Sequence, residues 1–330
     1  MTQAITVLGA GSWGTALAIA LARNGQRTRL WGHNPQHIQA MQATQSNERF
    51  LAGIAFPENL SVFDDLATAL DECQDVLIVV PSVAFRSTLV KAQPFIKPKM
   101  GIAWGTKGID HDSGALLHEV VTEICGAHPM AIISGPSFAK EVAQGLPTAI
   151  TLAGTDAAYN QHLQQRFHQK NFRVYISEDL IGVQISGTVK NVLAIATGMC
   201  DGLALGANAR SALITRGLSE LVRLGIALGG SYETFMGLAG IGDLILTCTD
   251  NQSRNRRFGL ALGKGETTIQ AEQAIGQVVE GIKNAAEIYK LAQQVAVEMP
   301  ICNQVYQVIQ GEVSVAQAAK NLLSRELPKA

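Results

Sequence analysis

The sequence predicts an α/β fold in which a doubly wound, mostly parallel sheet precedes an all-α C-terminal domain. Short apolar segments alternate with amphipathic segments through the first half of the chain. Continuous apolar segments are typical of strands buried on both faces of a parallel sheet, and their alternation with helices is typical of a doubly wound sheet. The strand pattern ends near Glu178, and a length of 330 residues corresponds to about two domains. We therefore expect one domain over residues 1–178 and another over residues 179–330.

Each predicted element follows from its apolar spacing and from the glycines that end the helices. The predicted strands of the first domain are Ile5–Leu8, Thr28–Trp31, Val76–Val80, Ile102–Trp104, Ala131–Ser134, Ala149–Leu152 and Arg173–Ile176. The predicted helices between them include Gly14–Asn24, Ala84–Gln93, Gly114–Glu123 and Ala157–Gln169. The predicted helices of the second domain are Leu180–Thr197, Ala209–Leu228, Arg254–Leu262, Gln270–Glu280, Ile282–Gln294, Ile301–Gln310 and Val315–Leu323.

The composition excludes several classes of protein. The net charge is −1, with 13 Lys+Arg against 14 Asp+Glu in residues 1–178 and 13 against 13 in residues 179–330, which sum to 26 and 27. Neither half has the basic excess that binding to a nucleic-acid backbone needs. A hydrophobic content of 47% excludes a disordered chain. No apolar run reaches the roughly 18 residues of a membrane span, and the N-terminus lacks the pattern of a secretory signal.

The cysteines and histidines narrow the chemistry further. Five cysteines are scattered through the chain and never form a C-x-x-C pair. This pattern predicts free thiols in a reducing cytoplasm, with no disulfide framework and no metal site. All seven histidines lie between His33 and His168. If the second domain carries out catalysis, we therefore expect its acid or base to be a different residue type.

A glycine-rich loop predicts the cofactor. The segment Gly9–Gly14 has the pattern G-x-G-x-x-G, directly follows the strand Ile5–Leu8 and opens an apolar helix. This context is the fingerprint of a Rossmann-like dinucleotide site: Gly9 allows the tight turn, Gly11 lets the backbone approach the pyrophosphate, and Gly14 lets helix and strand pack closely. The helix N-terminus offers N–H groups to the phosphates. The alternative is a glycine-rich turn that binds no ligand.

The end of the second strand bears on the choice between NAD and NADP. An acidic residue there would bind the ribose 2′-hydroxyl and repel a 2′-phosphate. The sequence instead has Arg29 and His33 around this point, with no acid. The protein is therefore predicted to accept NADPH at least as well as NADH, with His33 or Arg29 facing the phosphate. The alternative for both is an ordinary solvated side chain.

Two lysines are candidates for catalysis and binding. Lys190 lies within the apolar helix Leu180–Thr197, where a cation is costly unless it is paired or faces a cleft. Such a lysine can serve as a proton donor or acceptor in catalysis. The alternative for Lys190 is a structural lysine at the helix edge, whose ammonium reaches water. Lys107 follows a predicted strand, at the sheet edge where ligands bind. An exposed loop lysine is its alternative.

Three further polar segments are candidates for binding substrate. Gly135 and Ser137 flank Pro136 at a predicted helix start, where unpaired N–H groups suit an anion, although ordinary capping by Ser137 explains the pattern equally well. Asp243 and Thr247 are four residues apart and share a face if helical; the natural partner of the carboxylate is Lys190. The segment Ser253–Arg257 offers guanidinium and amide groups to a phosphate, with a solvated basic run as the alternative.

Together these segments resemble the NAD(P)-dependent glycerol-3-phosphate dehydrogenases, and the bacterial cytosolic form closely, over nearly the whole chain. The lysine segment fits the family signature at every position. The segments that carry the resemblance are Gly9–Gly14, Asn47–Leu60, Trp104–Ile109, Gly135–Glu141, Gly187–Gly198, Asp201–Leu205, Thr215–Glu220, Gly237–Cys248, Ser253–Gly259 and Val279–Gly281.

The resemblance implies an oxidoreductase that interconverts sn-glycerol 3-phosphate and dihydroxyacetone phosphate by hydride transfer with NADP or NAD. It also implies a cytoplasmic homodimer that supplies glycerol 3-phosphate for phospholipid synthesis. The implied catalytic residue is Lys190. The implied substrate contacts are Lys107, Gly135, Ser137, Lys190, Asp243, Thr247, Ser253, Arg254 and Asn255. The implied cofactor contacts, with the loop glycines Gly9, Gly11 and Gly14, are Ser12, Trp13, His33, Lys107, Ala139, Arg254, Val278 and Glu280.

Two alternatives remain at this point. A different two-domain dehydrogenase, acting on a hydroxy acid or an acyl thioester, would share the glycine loop but would not need the Ser253–Arg257 segment. A non-catalytic NADP-binding sensor would keep the loop but would have no reason to bury Lys190 near Asp243.

Overall fold

The computed structural model describes residues 3–324, and within them eight strands form one sheet in the order β3-β2-β1-β4-β5-β6-β7-β8. The strands are β1 (Ala4–Leu8), β2 (Thr28–Trp31), β3 (Leu60–Phe63), β4 (Cys73–Ile78), β5 (Gly101–Trp104), β6 (Met130–Ser134), β7 (Thr148–Gly154) and β8 (Phe172–Ser177). Neighbouring strands are parallel except β6 and β7, which are antiparallel. The predicted doubly wound, mostly parallel sheet is therefore confirmed.

The helices of this first unit lie between the strands and bury their apolar sides against the sheet. They are α1 (Ser12–Arg23), α2 (Pro35–Thr44), α3 (Glu48–Leu51), α4 (Leu66–Leu70), α5 (Ser82–Ala92), α6 (Leu117–Cys125), α7 (Ala139–Gln144) and α8 (Ala157–Phe167). The core cluster combines α1 residues such as Leu17 and Ile19 with strand residues such as Val7 and Ile133, all fully buried. The sequence missed β3, because this edge strand has only four residues and buries only alternate ones.

The second unit is helical. Its helices are α9 (Leu180–Gly202), α10 (Gly206–Ala227), α11 (Tyr232–Phe235), α12 (Asp243–Thr249), α13 (Arg254–Gly263), α14 (Thr268–Ile275), α15 (Glu280–Gln294), α16 (Pro300–Gln310) and α17 (Val315–Leu323), with a π-helical turn at Leu238–Gly242. The chain divides into two compact units between Gln184 and Ile185, which is inside α9. The domain boundary predicted at residue 178 stays a prediction.

Helix α9, most of which belongs to the second unit, is almost entirely buried. It is long and apolar enough to cross a membrane by length and composition, which the sequence reading did not anticipate, but 94% of its most apolar window is buried inside the protein. Its backbone approaches α13 closely: a Cβ at Gly198 would lie 2.1 Å from the Arg256 carbonyl oxygen, and one at Gly259 would lie 2.0 Å from that of Ile195. The apolar composition of α9 is therefore that of a core helix in close contact with its neighbours.

Candidate active site

The glycine loop has the geometry that its pattern predicts. Gly9 has a φ of +128°, and a Cβ there would lie 2.2 Å from the carbonyl oxygen of Val79. A Cβ at Gly14 would lie 1.9 Å from the carbonyl oxygen of Gly9. Both positions therefore require glycine, because any side chain would collide with fixed backbone. The loop turns directly from β1 into α1, as a dinucleotide fingerprint does.

The residues after this turn fit a dinucleotide. Gly11 caps α1, has an ordinary φ of −82°, and a Cβ there would contact no protein atom within 4 Å. The N–H groups of the first helical turn, which begins at Ser12 and Trp13, have no intrahelical acceptors. The indole N–H of Trp13 is buried and has no hydrogen-bond partner among the described residues. An open glycine backbone, a helix N-terminus and an unsatisfied buried donor are the features that a pyrophosphate-containing cofactor matches.

The other predicted residues of the first unit lie near the carboxyl ends of parallel strands. His33 is exposed just after β2, Lys107 follows β5, and Gly135 and Ser137 follow β6. Ala139 opens α7 and packs partly against the core. Ligands bind at this edge in open α/β sheets. The structure therefore places these residues along one sheet edge with the glycine loop.

Two expectations in the first unit are wrong. Ser137 does not cap a helix, because α7 begins at Ala139 and the Ser137 hydroxyl donates to the carbonyl of Gly135 (2.8 Å). Arg29 was one of two candidates to face a 2′-phosphate, but it is buried and binds backbone carbonyls instead. Its guanidinium donates to the carbonyls of Thr68 (2.9 Å) and Asp71, at the C-terminal end of α4. A cation is stabilised there by the unpaired carbonyls and by the helix dipole.

In the second unit, Lys190 forms a buried ion pair. Its Nζ donates to Asp243 Oδ1 at 2.6 Å and to Thr247 Oγ1 at 2.8 Å, and all three residues are at most 5% exposed. The Thr247 hydroxyl donates in turn to the carbonyl of Asp243 at 2.6 Å, across one turn of α12. The predicted pairing of Lys190 with Asp243, and the shared helix face of Asp243 and Thr247, are confirmed.

The N-terminus of α13 carries the predicted phosphate-binding segment. Ser253 is its N-cap and accepts a hydrogen bond from the N–H of Arg256. Arg254 is half-buried, and its guanidinium lies 3.4 Å from Gln277 Oε1. Asn255 is buried and donates to Asn191 Oδ1 at 2.9 Å. The segment thus places an arginine and an amide at a helix N-terminus, which suits an anion.

This segment is not a solvated basic run. Arg256 is 7% exposed and donates to the carbonyl of Cys248 (3.1 Å), to Asn251 and to Asp201, with which it forms an ion pair. Only Arg257 in the segment is exposed. Arg256 therefore joins α13 to the preceding helices, while Arg254 remains the candidate for a ligand.

The remaining predicted cofactor residues lie at the start of α15. Val278 is 52% exposed and Glu280 is the first residue of the helix. Close to Lys190 and Asp243, burial raises the pKa of the Cys248 thiol to about 12, so this thiol is neutral at physiological pH. Within residues 3–324, no group of three or more His, Cys, Asp or Glu residues is arranged to hold a metal ion.

The sequence reading missed three buried polar residues close to Lys190. Asn191, Asn284 and Glu287 form a hydrogen-bonded series with Asn255. Asn191 lies next to Lys190 in an apolar helix, and Asn284 and Glu287 lie three residues apart on α15. The available signal was Asn191 itself, a polar residue in an apolar helix. Its hydrogen-bond partners on other helices cannot be read from one sequence.

Comparisons with known proteins agree with this arrangement. A family model described as the NAD-dependent glycerol-3-phosphate dehydrogenase N-terminus matches residues 4–160, and the model for the C-terminus matches residues 179–320. A protein of Psychromonas ingrahamii named glycerol-3-phosphate dehydrogenase [NAD(P)+] is 55% identical over 324 residues, covering 98% of this chain and 97% of its own. A protein of the same name from Glaesserella parasuis is 56% identical over 324 residues, covering 98% and 96%.

A solved structure of a glycerol-3-phosphate dehydrogenase is also similar to this chain. The crystal structure of glycerol-3-phosphate dehydrogenase from Coxiella burnetii matches with a TM-score of 0.96 and 52% identity, covering 98% of this chain and 99% of that chain. Sequence and fold therefore agree over both units, and the chain belongs to the NAD-dependent glycerol-3-phosphate dehydrogenase family.

Proposed function

We propose that the protein is an NAD(P)-dependent oxidoreductase that interconverts sn-glycerol 3-phosphate and dihydroxyacetone phosphate. The observation that carries this proposal is the buried Lys190, paired with Asp243 at 2.6 Å inside the segment that resembles the family's catalytic lysine signature. Membership in the dehydrogenase family over both units supports the reaction type. The helix N-terminus beside Arg254 supports a phosphorylated substrate.

The first unit is proposed to hold the cofactor. Gly9, Gly11 and Gly14 shape the loop, and the N–H groups at the start of α1 would bind the pyrophosphate. When bound, the nicotinamide ring supplies or accepts the hydride. Within this unit, the proposed contacts of the dinucleotide are completed by Ser12, Trp13, His33, Lys107 and Ala139. Arg254, Val278 and Glu280 of the second unit are proposed as cofactor contacts on the family resemblance alone. The lack of an acidic residue after β2 supports use of NADPH as well as NADH.

Lys190 is proposed to handle the proton. When the ketone is reduced, negative charge develops on its C2 oxygen, and the Lys190 ammonium both stabilises this charge and donates the proton. The neutral amine then regains a proton from solvent. In the oxidation, Lys190 accepts the hydroxyl proton instead. Asp243 and Thr247 hold the Nζ atom in place through hydrogen bonds of 2.6 and 2.8 Å.

The phosphate of the substrate is assigned to the start of α13. Arg254 offers a forked guanidinium, Asn255 offers an amide, and Ser253 shapes the turn as the N-cap. Further substrate contacts are assigned to Lys107, Gly135 and Ser137 of the first unit. A helix N-terminus with an arginine favours a dianionic phosphate over a carboxylate or a neutral group. This preference separates the proposal from dehydrogenases that act on hydroxy acids.

We also propose a cytoplasmic homodimer that supplies glycerol 3-phosphate for phospholipid synthesis. The five cysteines are all free, as in proteins of a reducing compartment. Several apolar side chains of the second unit are 42–55% exposed, and burying such side chains between two copies would favour a dimer: Ile226, Tyr232, Met236 and Ile245. Sedimentation at micromolar concentration tests the dimer, and a monomer would contradict it.

An absorbance assay tests the proposed function. Oxidation of NADPH and NADH is followed at the nicotinamide band with dihydroxyacetone phosphate as the substrate. We expect rapid oxidation of the cofactor with dihydroxyacetone phosphate and little oxidation with a 2-keto acid or an acyl thioester. The kcat/KM for NADPH should be at least as high as that for NADH. Activity restricted to a keto acid would show a different dehydrogenase. NADPH binding without turnover of any of these substrates would show a sensor.

A further inference from the structure

A series of buried side chains runs from α13 to α15 through the residue next to Lys190. Asn255 Nδ2 donates to Asn191 Oδ1 (2.9 Å), Asn191 Nδ2 donates to Asn284 Oδ1 (3.0 Å), and Asn284 Nδ2 donates to Glu287 Oε2 (3.0 Å). The four side chains come from three helices, and none is more than 8% exposed. Three amides and a carboxylate are therefore joined head to tail in the interior of the second unit.

The two ends of this series fix its direction. An ionised Glu287 only accepts hydrogen bonds, so Asn284 must present its NH2 group to Glu287 and its oxygen to Asn191. At the other end, Asn255 Oδ1 accepts the backbone N–H of Gly281 at 2.9 Å, and that group only donates. Each amide in between therefore has one orientation. Hydrogen bonds aligned in this way polarise and strengthen one another in a buried site.

The series also sets the spacing of three helices. Gly281 lies in the first turn of α15, and a Cβ there would lie 2.8 Å from both the Asn191 carbonyl oxygen and Asn255 Oδ1. The glycine allows the N-terminus of α15 to approach Asn255. Because Asn255 is the second residue of α13 and Asn191 follows Lys190 on α9, the series ties the phosphate-binding helix start to the helix that carries the proton donor.

We propose that Glu287 is a positioning residue for substrate phosphate: through Asn284 and Asn191 it fixes the Asn255 amide at the start of α13. This inference rests on the proposed function, because it takes the phosphate to bind at that helix start. Glu287 is three hydrogen bonds away from Asn255, with the side chains of Asn284 and Asn191 between them. Its role is to hold one end of the series, while the Gly281 N–H holds the other.

The test is steady-state kinetics with dihydroxyacetone phosphate and with NADPH. Glu287→Ala leaves the series held only at the Gly281 end, so Asn284 and Asn191 can turn and Asn255 loses its fixed partner. We therefore expect the KM for dihydroxyacetone phosphate to rise about tenfold or more, the size of one lost hydrogen bond to a charged group. We expect kcat and the KM for NADPH to stay within about twofold, since neither the Lys190 pair nor the cofactor loop is altered. Glu287→Gln retains an acceptor oxygen and should restore most of the substrate affinity.

Two further variants separate positioning from stability. Asn284→Leu combined with Glu287→Leu also breaks the series, but two leucines fill the space that the shorter alanine of Glu287→Ala leaves empty. We expect this double variant to recover thermal stability relative to Glu287→Ala while keeping the raised KM. Glu220→Gln is the matched control, because Glu220 is another buried carboxylate of the second unit that accepts the backbone N–H groups of Ile301 and Cys302. It should leave the KM for dihydroxyacetone phosphate unchanged.

The outcomes separate this inference from the proposed function. If the wild-type enzyme does not oxidise NADPH with dihydroxyacetone phosphate, the proposed function is wrong. If the wild type is active and the folded Glu287→Ala or the double variant keeps a wild-type KM, the positioning role is wrong. A rise in KM that Glu220→Gln reproduces would also overturn it, because the effect would then follow from any loss of a buried carboxylate.

Discussion

The two units of the molecule build their proposed functional residues in different ways. In the first unit, the cofactor loop is made by consecutive residues and mainly by backbone, with glycines at 9, 11 and 14. In the second unit, the proposed catalytic group is made by buried side chains that are far apart in sequence. Lys190 and Asp243, for example, are separated by 53 residues. A backbone site can be recognised from a short motif. A side-chain site depends on which helices pack together, so it is only partly visible in the sequence.

The largest expected effect is in the side-chain site. Lys190→Ala removes the proton donor, so we expect kcat to fall about 10²–10⁴-fold while the Kd for NADPH stays unchanged. Stopped-flow or steady-state kinetics and fluorescence titration with NADPH measure the two quantities. Lys290→Ala, at an exposed lysine of α15, is the control. An unchanged kcat in Lys190→Ala would mean that the buried ion pair has only a structural role.

The backbone site is tested by two alanine substitutions in one loop. Gly14→Ala forces a Cβ to within 1.9 Å of the Gly9 carbonyl oxygen, so we expect the free energy of unfolding to fall by about 1–3 kcal/mol or more. Gly11→Ala meets no protein atom, so it should keep its stability but weaken NADPH binding about tenfold or more, because the methyl group occupies the side proposed for the pyrophosphate. Thermal melts and binding titrations check both. Equal NADPH affinity in Gly11→Ala and wild type would contradict the loop assignment.

Arg254→Ala tests the phosphate site, where side chain and helix N-terminus act together. Loss of a charged hydrogen-bonding group should raise the KM for dihydroxyacetone phosphate roughly 10- to 100-fold. Activity on dihydroxyacetone, which lacks the phosphate, should change far less. Arg257→Ala, at the exposed neighbour, is the control. Equal losses on both substrates would place Arg254 elsewhere in the mechanism.

The smallest effect concerns the opposite pH response of two buried carboxyls, one in each unit. Burial raises the pKa of Glu220 above 4.5, and hydrogen bonds from Ile301 and Cys302 offset this only partly. The folded state then binds the Glu220 proton more tightly than the unfolded state, so the protein gains stability from this group as pH falls through its folded pKa. Burial also opposes ionisation of Asp110, but hydrogen bonds from Ser113 and Arg86 outweigh it and lower the pKa below 3.8.

Asp110 therefore contributes stability above its ordinary pKa of 3.8, and this is lost as pH falls toward the folded value. Urea unfolding from pH 7 to pH 3 compares wild type with Glu220→Gln and Asp110→Asn. We expect the stability of wild type relative to Glu220→Gln to rise on acidification, and that relative to Asp110→Asn to fall. The same trend for both variants would contradict the assigned causes.

Much of the fold followed from local pattern. The strand Thr28–Trp31 and the helix Val315–Leu323 have the predicted ends, because apolar periodicity and flanking turn residues specify them locally. The helices α2 and α3 were missed, since α2 has little apolar content and α3 has only four residues. Short polar elements are held by tertiary contacts, which the sequence does not display.

In the second unit, a contact could be predicted only where one residue requires a particular type of partner. A buried lysine needs a counter-charge, and Asp243 was the available carboxylate in an equally apolar segment. Neutral amides place no such demand, so the link between Asn191 and Asn284, 93 residues apart, had no signal. Arg29 was placed wrongly because its strand position gave no sign of the carbonyls at the end of α4 that bind it.

One isotope measurement tests the central claim most directly. The enzyme is incubated with dihydroxyacetone phosphate and NADPH carrying deuterium at C4 of the nicotinamide ring, and the product is analysed by mass spectrometry and NMR. The account predicts sn-glycerol 3-phosphate with a single deuterium at C2, formed by wild type and nearly abolished in Lys190→Ala. Unlabelled product, label at another carbon, or undiminished transfer in Lys190→Ala would contradict it.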